Sequence, residues 1–341
     1  MTLGSLTPAD VGTVPADVIA RLKGARDVLT VCHENPEADA LGSALGLALA
    51  LEAMGKTATP MCSDIVPPMY DFMPHIDRFR RDPDPDHDYD LIVVGDCGDL
   101  ARVGSALGRN AELFGRVPIV NIDHHISNRG FGAVNWVDAT AAATCEMDTL
   151  LMPALGVALD AAGGAIAANL MAGVVIDTAN FQHPNVTPRT LRVAAELVAA
   201  GAPLSETARL LYRNKPNRQL KLFGLVLGRL DSERDGRLVW SALREADYSA
   251  TGSTVEDVEG LSDLLSQSST GELMVLFRDM GDRTKISVRT REGGPDATVL
   301  TGRFGGGGHA RASGATLALP IDQAIPAVLE AARQELDARS G

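Results

Sequence analysis

An aspartate and two histidines stand together directly after a β-rich segment of the chain. The run 117–122 is apolar and β-branched, and Asp123, His124 and His125 follow it. An acid and two imidazoles at the end of a strand are ligand types that a metal-dependent hydrolase uses. Paired histidines also occur in surface loops without any role in chemistry, so the meaning of this triplet depends on the rest of the sequence.

Three further acidic segments follow apolar runs that the pattern predicts to be strands. The runs are 28–32, 91–95 and 171–176. The segments after them contribute His33, Glu37, Asp39, Asp96 and Asp177. Taken singly, Asp39 or Asp177 is more simply interpreted as a helix N-cap. Because ligands bind outside the carboxyl ends of the strands in an open α/β sheet, the joint occurrence predicts one convergent site.

The charges of this set indicate two divalent cations. Four negative charges would meet in the site, and two divalent ions balance them. They belong to Glu37, Asp39, Asp96 and Asp177. Carboxylates and imidazoles without thiolates suit Mn, with Mg as the alternative, better than Zn. Two such ions can clamp the attacking and leaving oxygens of a phosphoryl group, so the predicted reaction is hydrolysis of a phosphate ester.

These motifs resemble those of the DHH phosphoesterase superfamily. The resemblance rests on the segments named above and on a second block, 304–314, which resembles the glycine-rich signature of the DHH-associated C-terminal domain. It implies one cation held by His33, Glu37 and Asp96. It implies a second cation held by Asp39, Asp96, His124 and Asp177, with Asp96 shared. By the same resemblance, His125 would face the substrate phosphate, and Asp123 would orient the histidines.

The chain departs from the family pattern at Glu37. Where the family usually has Pro-Asp-x-Asp, this sequence has Pro36-Glu37-Ala38-Asp39. The carboxylate therefore sits on a stem that is one methylene longer, and we expect a weaker or more selective first cation site.

The glycine-rich block predicts a phosphate-binding segment. Glycines can bring backbone amides close to a phosphate, since they lack a side chain and adopt positive φ without strain. The candidate substrate contacts are Gly306, Gly307, Gly308, His309 and Arg289. Residues 271–315 carry seven basic side chains against five acidic ones, which favours a small anionic substrate. A flexible glycine loop with an incidental histidine is the alternative.

Composition bounds the kind of protein. The chain has 341 residues, 45% hydrophobic and 4% aromatic content, and a net charge of −13, which argues against a protein that tracks long DNA or RNA. No secretory signal and no membrane span is expected, so the predicted location is cytoplasmic. Four cysteines without C-x-x-C spacing are expected to be buried thiols.

The order of predicted elements indicates an α/β protein with two domains. Residues 1–186 alternate strand and helix, as in a doubly wound, mostly parallel sheet, and form the predicted catalytic, metal-binding domain. Residues 187–230 are predicted to be a helical connector, with Thr187 as N-cap and Pro188 at the first helical position. Residues 231–341 are predicted to be a smaller α/β substrate-binding domain.

The two-domain arrangement most resembles the bacterial nanoRNase and pAp phosphatase group within the superfamily. The expected substrates are short oligoribonucleotides (nanoRNA), pApA and pAp, with c-di-AMP as a further candidate. We expect a metal-bridging hydroxide to attack a phosphorus held by the cations, His125 and the glycine-rich segment. An inorganic pyrophosphatase or polyphosphatase, and a nucleotide sensor without hydrolysis, remain alternatives. The apolar connector also permits a homodimer.

Overall fold

A computed structural model describes residues 6–339 of the chain. The chain divides into two compact units, residues 1–214 and 215–341, and each has its own hydrophobic cores. The outer ends of the two predicted domains, residues 1–5 and 340–341, lie outside the described part.

The first unit contains a five-stranded sheet in which every neighbouring pair is parallel. Its strands are β1 (Asp27–Val31), β2 (Thr57–Met61), β3 (Leu91–Gly95), β4 (Ile119–Asp123) and β5 (Val134–Val137). The central strands are buried along nearly their whole length, as expected of a parallel sheet covered on both faces.

Helices cover both faces of this sheet, which confirms the doubly wound prediction. The helices are α1 (Pro8–Val11), α2 (Ala16–Gly24), α3 (Ala38–Ala53), α4 (Ser105–Arg109), α5 (Ala111–Arg116), α6 (Thr144–Leu155), α7 (Ala165–Asp177), α8 (Pro188–Ala199) and α9 (Leu204–Tyr212). One face packs against α3 and α6, on which α7 packs in turn, and the other packs against α5 and the segment around α4. Short 3-10 helices span Pro68–Tyr70, Ile76–Arg78, Leu100–Val103 and Ala162–Gly164.

The strand order places the predicted ligands at one point of the sheet. The order is β2-β1-β3-β4-β5, so β1 and β3 are neighbours although the chain visits β2 between them. A crevice opens at the carboxyl ends of strands where the order reverses. His33 follows β1 and Asp96 follows β3, so both stand at this switch point.

The prediction of a strand before Asp177 is wrong. Residues 165–177 form helix α7, and Asp177 is its last residue. The run Ile166–Val175 is buried almost throughout, because α7 packs against α3, α6, α8 and α9. A helix buried on all sides shows no polar alternation, so the sequence pattern could not separate it from a buried strand.

Thr187 begins the next helix as predicted. Its hydroxyl accepts a hydrogen bond from the backbone N–H of Thr190, and Pro188 occupies the first helical position. Helices α8 and α9 belong to the first unit, whereas α10 (Asn217–Leu227) belongs to the second.

The second unit contains a six-stranded mixed sheet in the order β10-β11-β9-β8-β7-β6. Its strands are β6 (Asp231–Glu233), β7 (Leu238–Leu243), β8 (Leu273–Asp279), β9 (Thr284–Thr290), β10 (Gly307–His309) and β11 (Ala312–Leu317). Its remaining helices are α11 (Glu245–Thr251), α12 (Leu261–Leu265), α13 (Ala297–Gly302) and α14 (Ile321–Asp337), with a 3-10 turn at Glu256–Val258. Helices α13 and α14 cover one face, and α10 and α12 cover part of the other. The predicted second α/β unit is therefore present.

No helix in residues 6–339 combines the length and the apolar character that a membrane crossing requires.

Candidate metal centre

The turn between β1 and α3 presents three of the predicted ligands. The side chain of Glu37 caps α3, since it accepts hydrogen bonds from the backbone N–H groups of Asp39 (3.3 Å) and Ala40 (3.2 Å). Asp39, two residues further along in the first turn, is completely buried. The N-cap of this helix is therefore Glu37 and not Asp39.

Asp96 lies at the centre of the cluster. It follows β3 with a left-handed backbone (φ 54°), a conformation that Asp adopts more readily than most residues. Its Oδ2 is 3.4 Å from His33 Nε2, and its Oδ1 is 3.4 Å from His124 Nε2. One buried carboxylate thus contacts two imidazoles that come from different strand ends.

Three groups of potential ligands lie around this carboxylate, which belongs to two of them. In each group the ligand atoms lie within 4.8 Å of one another. The first group is His33, Glu37 and Asp96, the second is Asp39, His124 and Asp177, and the third is Asp96, His124 and His125. The structure therefore brings all six predicted ligands together. The four cysteines are buried and free, and these groups contain only imidazoles and carboxylates.

Helix α6 fixes Asp39, and the sequence analysis missed this contact. The backbone N–H groups of Thr144 and Cys145 donate to the two carboxylate oxygens of Asp39 at 2.7 and 2.9 Å. The Thr144 hydroxyl donates to Asp96 Oδ1 at 3.1 Å. A helix N-terminus favours negative charge, so α6 both orients and stabilises the carboxylate. A threonine directly before an apolar helical run was the available signal.

The two histidines of the Asp-His-His triplet have different hydrogen-bond partners. Asp123 Oδ1 is 2.7 Å from His125 Nδ1, and the amide of Asn128 donates to the other Asp123 oxygen at 2.6 Å. His124 Nδ1 instead faces the carbonyl oxygen of Ala141 at 3.3 Å. The structure thus differs from the expectation that Asp123 orients both histidines, because only the Nδ1 of His125 reaches its carboxylate.

The surroundings shift the pKa values of three carboxyl groups of the cluster in different directions. Burial and the neighbouring carboxylates raise the pKa values of Glu37 and Asp39 well above their ordinary range. Burial also opposes the charge on Asp96, but hydrogen bonds from His124 and His33 outweigh it and hold the pKa of Asp96 below its ordinary value. Burial lowers the pKa of His124, yet contacts with Asp177 and Asp96 outweigh this and raise it to about 12.

These residues fit divalent cations. His33 Nδ1 faces the carbonyl oxygen of Glu34 at 2.7 Å, and His124 Nδ1 faces that of Ala141. Because a carbonyl only accepts, each Nδ1 carries the proton and each Nε2 is left for a ligand bond. Carboxylates that otherwise need protons to coexist can instead share cations, so the donor set matches hard or borderline divalent ions.

The second unit carries the other predicted contacts at the edge of its sheet. Gly307, Gly308 and His309 form the exposed edge strand β10. His309 pairs with Ala312 of β11, which pairs with Arg289 of β9, so His309 and Arg289 share one sheet face. At a strand spacing of about 4.8 Å they stand roughly 10 Å apart.

The glycines of this edge differ in whether a side chain would fit at their position. A Cβ at Gly306 would collide with the carbonyl oxygen of Gly314, and one at Gly308 would lie 2.7 Å from that of Ala312. A Cβ at Gly307 would meet no described heavy atom within 4 Å. Close packing against β11 explains two of the glycines, whereas Gly307 leaves open space beside the backbone. Arg289 Nε is 3.0 Å from Asp263 Oδ1, and both residues line a cavity of about 410 Å³.

Comparison with known proteins agrees with this architecture. The model of the DHH family N-terminal domain matches residues 27–201, and that of the DHHA1 domain matches residues 242–338. The bifunctional oligoribonuclease and PAP phosphatase NrnA of Thermus thermophilus is 36% identical over 324 residues, or 94% of this chain and 93% of that protein. The protein of the same name from Bacillus subtilis is 27% identical over 289 residues, or 84% of this chain and 87% of that protein.

A solved structure shows the same fold. The crystal structure of an exopolyphosphatase-related protein from Bacteroides fragilis has a TM-score of 0.83 at 21% identity and covers 98% of both chains. With both domain models matched in order and a relative aligned along almost its whole length, the chain belongs to the DHH family.

Proposed function

We propose that this protein is a metal-dependent phosphoesterase that hydrolyses short oligoribonucleotides and pAp. One observation carries the proposal: groups of imidazole and carboxylate ligands cluster around Asp96, at the switch point of a parallel sheet. The relatives that are named as oligoribonucleases and PAP phosphatases support the choice of substrate.

Two divalent cations, Mn in our proposal, would bind at the paired groups. His33, Glu37 and Asp96 would hold one, and Asp39, His124 and Asp177 would hold the other, with Asp96 shared. When bound, such cations neutralise phosphoryl oxygens and lower the pKa of water. The protein's own part is to keep the ligands in place, which it does through the Glu37 cap, the α6 amides and the carbonyls behind the imidazoles.

His125 is proposed to contact the substrate phosphate. Its Nδ1 is engaged by Asp123, so its Nε2 remains available, and its side chain is 36% exposed where that of His124 is 16% exposed. An imidazole fixed in this way can donate a hydrogen bond to a phosphoryl oxygen or a proton to the leaving group. Asp123 acts through His125 by holding its ring.

The exposed edge of the second unit is proposed to contact substrate. Gly307 offers a backbone that a phosphate can approach, and His309 and Arg289 place two donors on the same face. Contacts of this kind suit one or two nucleotides and do not require the broad basic surface of a protein that tracks long DNA. We extend the proposal to pApA and c-di-AMP, and to a cytoplasmic location where such nucleotides occur.

A hydrolysis panel with Mn tests this proposal. It compares pAp, pApA, c-di-AMP, 5′-labelled RNAs of increasing length, and pyrophosphate, with the Asp96→Asn variant as the control for contaminating enzymes. We expect fastest turnover of pAp and the shortest RNAs. Undiminished cleavage of long strands would refute the substrate assignment, and faster turnover of pyrophosphate would favour the inorganic pyrophosphatase alternative.

A further inference from the structure

The loop that follows Asp177 has an unusual backbone. Ala179, Asn180 and Phe181 are consecutive non-glycine residues with positive φ, at 46°, 58° and 62°. Left-handed conformations of this kind cost free energy and persist where the surroundings fix them. Here the backbone N–H of Phe181 donates to the Thr178 hydroxyl at 3.0 Å, which turns the chain back toward the end of α7.

This turn returns Asn185 to the end of α7. The Asn185 side-chain amide donates to the carbonyl oxygen of Asp177 at 3.2 Å and to that of Ala142 at 3.1 Å. One carbonyl belongs to a candidate cation ligand. The other follows Ala141, whose own carbonyl faces His124 Nδ1. A single amide thus joins the backbone of Asp177 to the segment that sets the ring of His124.

The segment 141–142 is itself anchored from behind. The backbone N–H of Ala142 donates to the Glu146 carboxylate at 3.2 Å. Glu146 is fully buried and also accepts from Arg189 Nε at 2.6 Å and from the Thr190 hydroxyl at 2.8 Å. A buried ion pair with these added hydrogen bonds gives the segment a defined position, so Asn185 connects Asp177 to a rigid partner.

We propose that Asn185 is a positioning residue for the cation site of Asp39, His124 and Asp177. It acts through the backbone of Asp177 and the segment 141–142, and within residues 6–339 its side-chain hydrogen bonds reach those two carbonyls alone. The site of His33, Glu37 and Asp96 does not depend on this link. The inference rests on the proposed two-cation function and assigns to Asn185 the geometry of one of the two sites.

Calorimetric titration of Mn into the metal-depleted full chain tests the assignment. The wild type should bind two cations, and Asp177→Ala should abolish the site that Asp177 helps to form. We expect Asn185→Ala to weaken this same site by about 10–100-fold, as loss of a residue behind a metal ligand typically does. The affinity of the other site should stay within about twofold of the wild type.

Matched variants separate positioning from general damage. Gln182→Ala changes an exposed side chain of the same loop and should leave both affinities unchanged. Asn185→Leu keeps the size of the side chain but removes the two donor hydrogens. It should weaken the same site as Asn185→Ala does, and it controls for any loosening of the loop by the small alanine side chain. The melting temperature of each metal-free variant is measured alongside.

The outcomes distinguish the inference from the function on which it rests. Unchanged affinities in both Asn185 variants, or equal weakening of both sites, would overturn the role of Asn185 while leaving the two-cation proposal intact. A wild-type chain that binds no cation would overturn the proposed function itself.

Discussion

The ligand cluster of the first unit and the glycine-rich edge of the second differ in burial and in the number of contacts that hold their residues. The cluster buries Asp39, Asp96 and His33 and fixes each of them by contacts from its neighbours. The edge exposes His309 and the backbone of Gly307 with few contacts around them. Holding cations requires charges in fixed positions, because repulsion would otherwise drive them apart, whereas receiving a substrate requires open backbone and free donors.

The largest effect is expected at Asp96. Asp96→Asn keeps the shape of the side chain but removes the charge of the carboxylate that is proposed to bind both cations. Because cations contribute several kcal/mol to phosphoryl transfer, turnover of pAp should fall by about 10³-fold or more. Steady-state kinetics with Mn check this, and turnover within tenfold of the wild type would contradict the central position of Asp96.

Two adjacent glycines at the sheet edge of the second unit distinguish a packing role from a substrate-binding role. Gly306→Ala should lower the free energy of unfolding by about 1–3 kcal/mol, because the new methyl group collides with β11. Gly307→Ala should leave the melting temperature nearly unchanged and raise KM instead. Denaturant unfolding and kinetics of both variants separate the two, and an equal loss of stability would remove the distinction between packing and binding glycines.

Glu37 offers two variants that separate its capping role from its charge. Glu37→Gln retains an oxygen that can cap α3, so the melting temperature should hold while the affinity for one cation falls by about 10-fold. Glu37→Ala should lose that affinity and also about 1 kcal/mol of stability, since the cap disappears. Mn titration and thermal unfolding check both. Unaltered Mn affinity and turnover in Glu37→Ala would show that Glu37 is not a ligand.

The smallest effect is expected at the ion pair of Arg289. Arg289→Ala should raise KM for short RNA by about 10-fold without a comparable change in kcat, because a charge-assisted hydrogen bond contributes about 1.5 kcal/mol or more. Asp263→Asn frees Arg289 from its partner and should lower KM slightly. If both variants raise KM equally, the ion pair stabilises the unit and Arg289 does not bind substrate.

The sequence predicted the placement of the candidate ligands where they follow a strand. His33, Asp96 and His124 each stand just past a predicted strand, and the parallel sheet brings them together as expected. Asp177 joins them from the end of helix α7 and not from a strand. The sequence pattern did not show this, because a fully buried apolar run has no helical or strand periodicity to read. The role of Thr144 also escaped the sequence analysis, since its contact with Asp39 joins residues 105 positions apart.

Other aspects of the site depend on atomic detail that a linear pattern does not carry. Gly306 and Gly307 are adjacent and identical in sequence, yet only the packing of β11 tells them apart. The proposed role of Asn185 depends on hydrogen bonds to two carbonyl oxygens in separate segments, which the sequence does not reveal. The predicted domain bounds stay predictions, and the individual site roles are predictions that the experiments above test.

The most direct test is turnover of pAp and pApA by the metal-depleted protein before and after Mn is added. The proposed cation-dependent hydrolysis requires that no product forms without cations and that phosphate or mononucleotides are released once Mn saturates the cluster. Hydrolysis that persists in excess chelator, or tight nucleotide binding with no hydrolysis in saturating Mn, would contradict it.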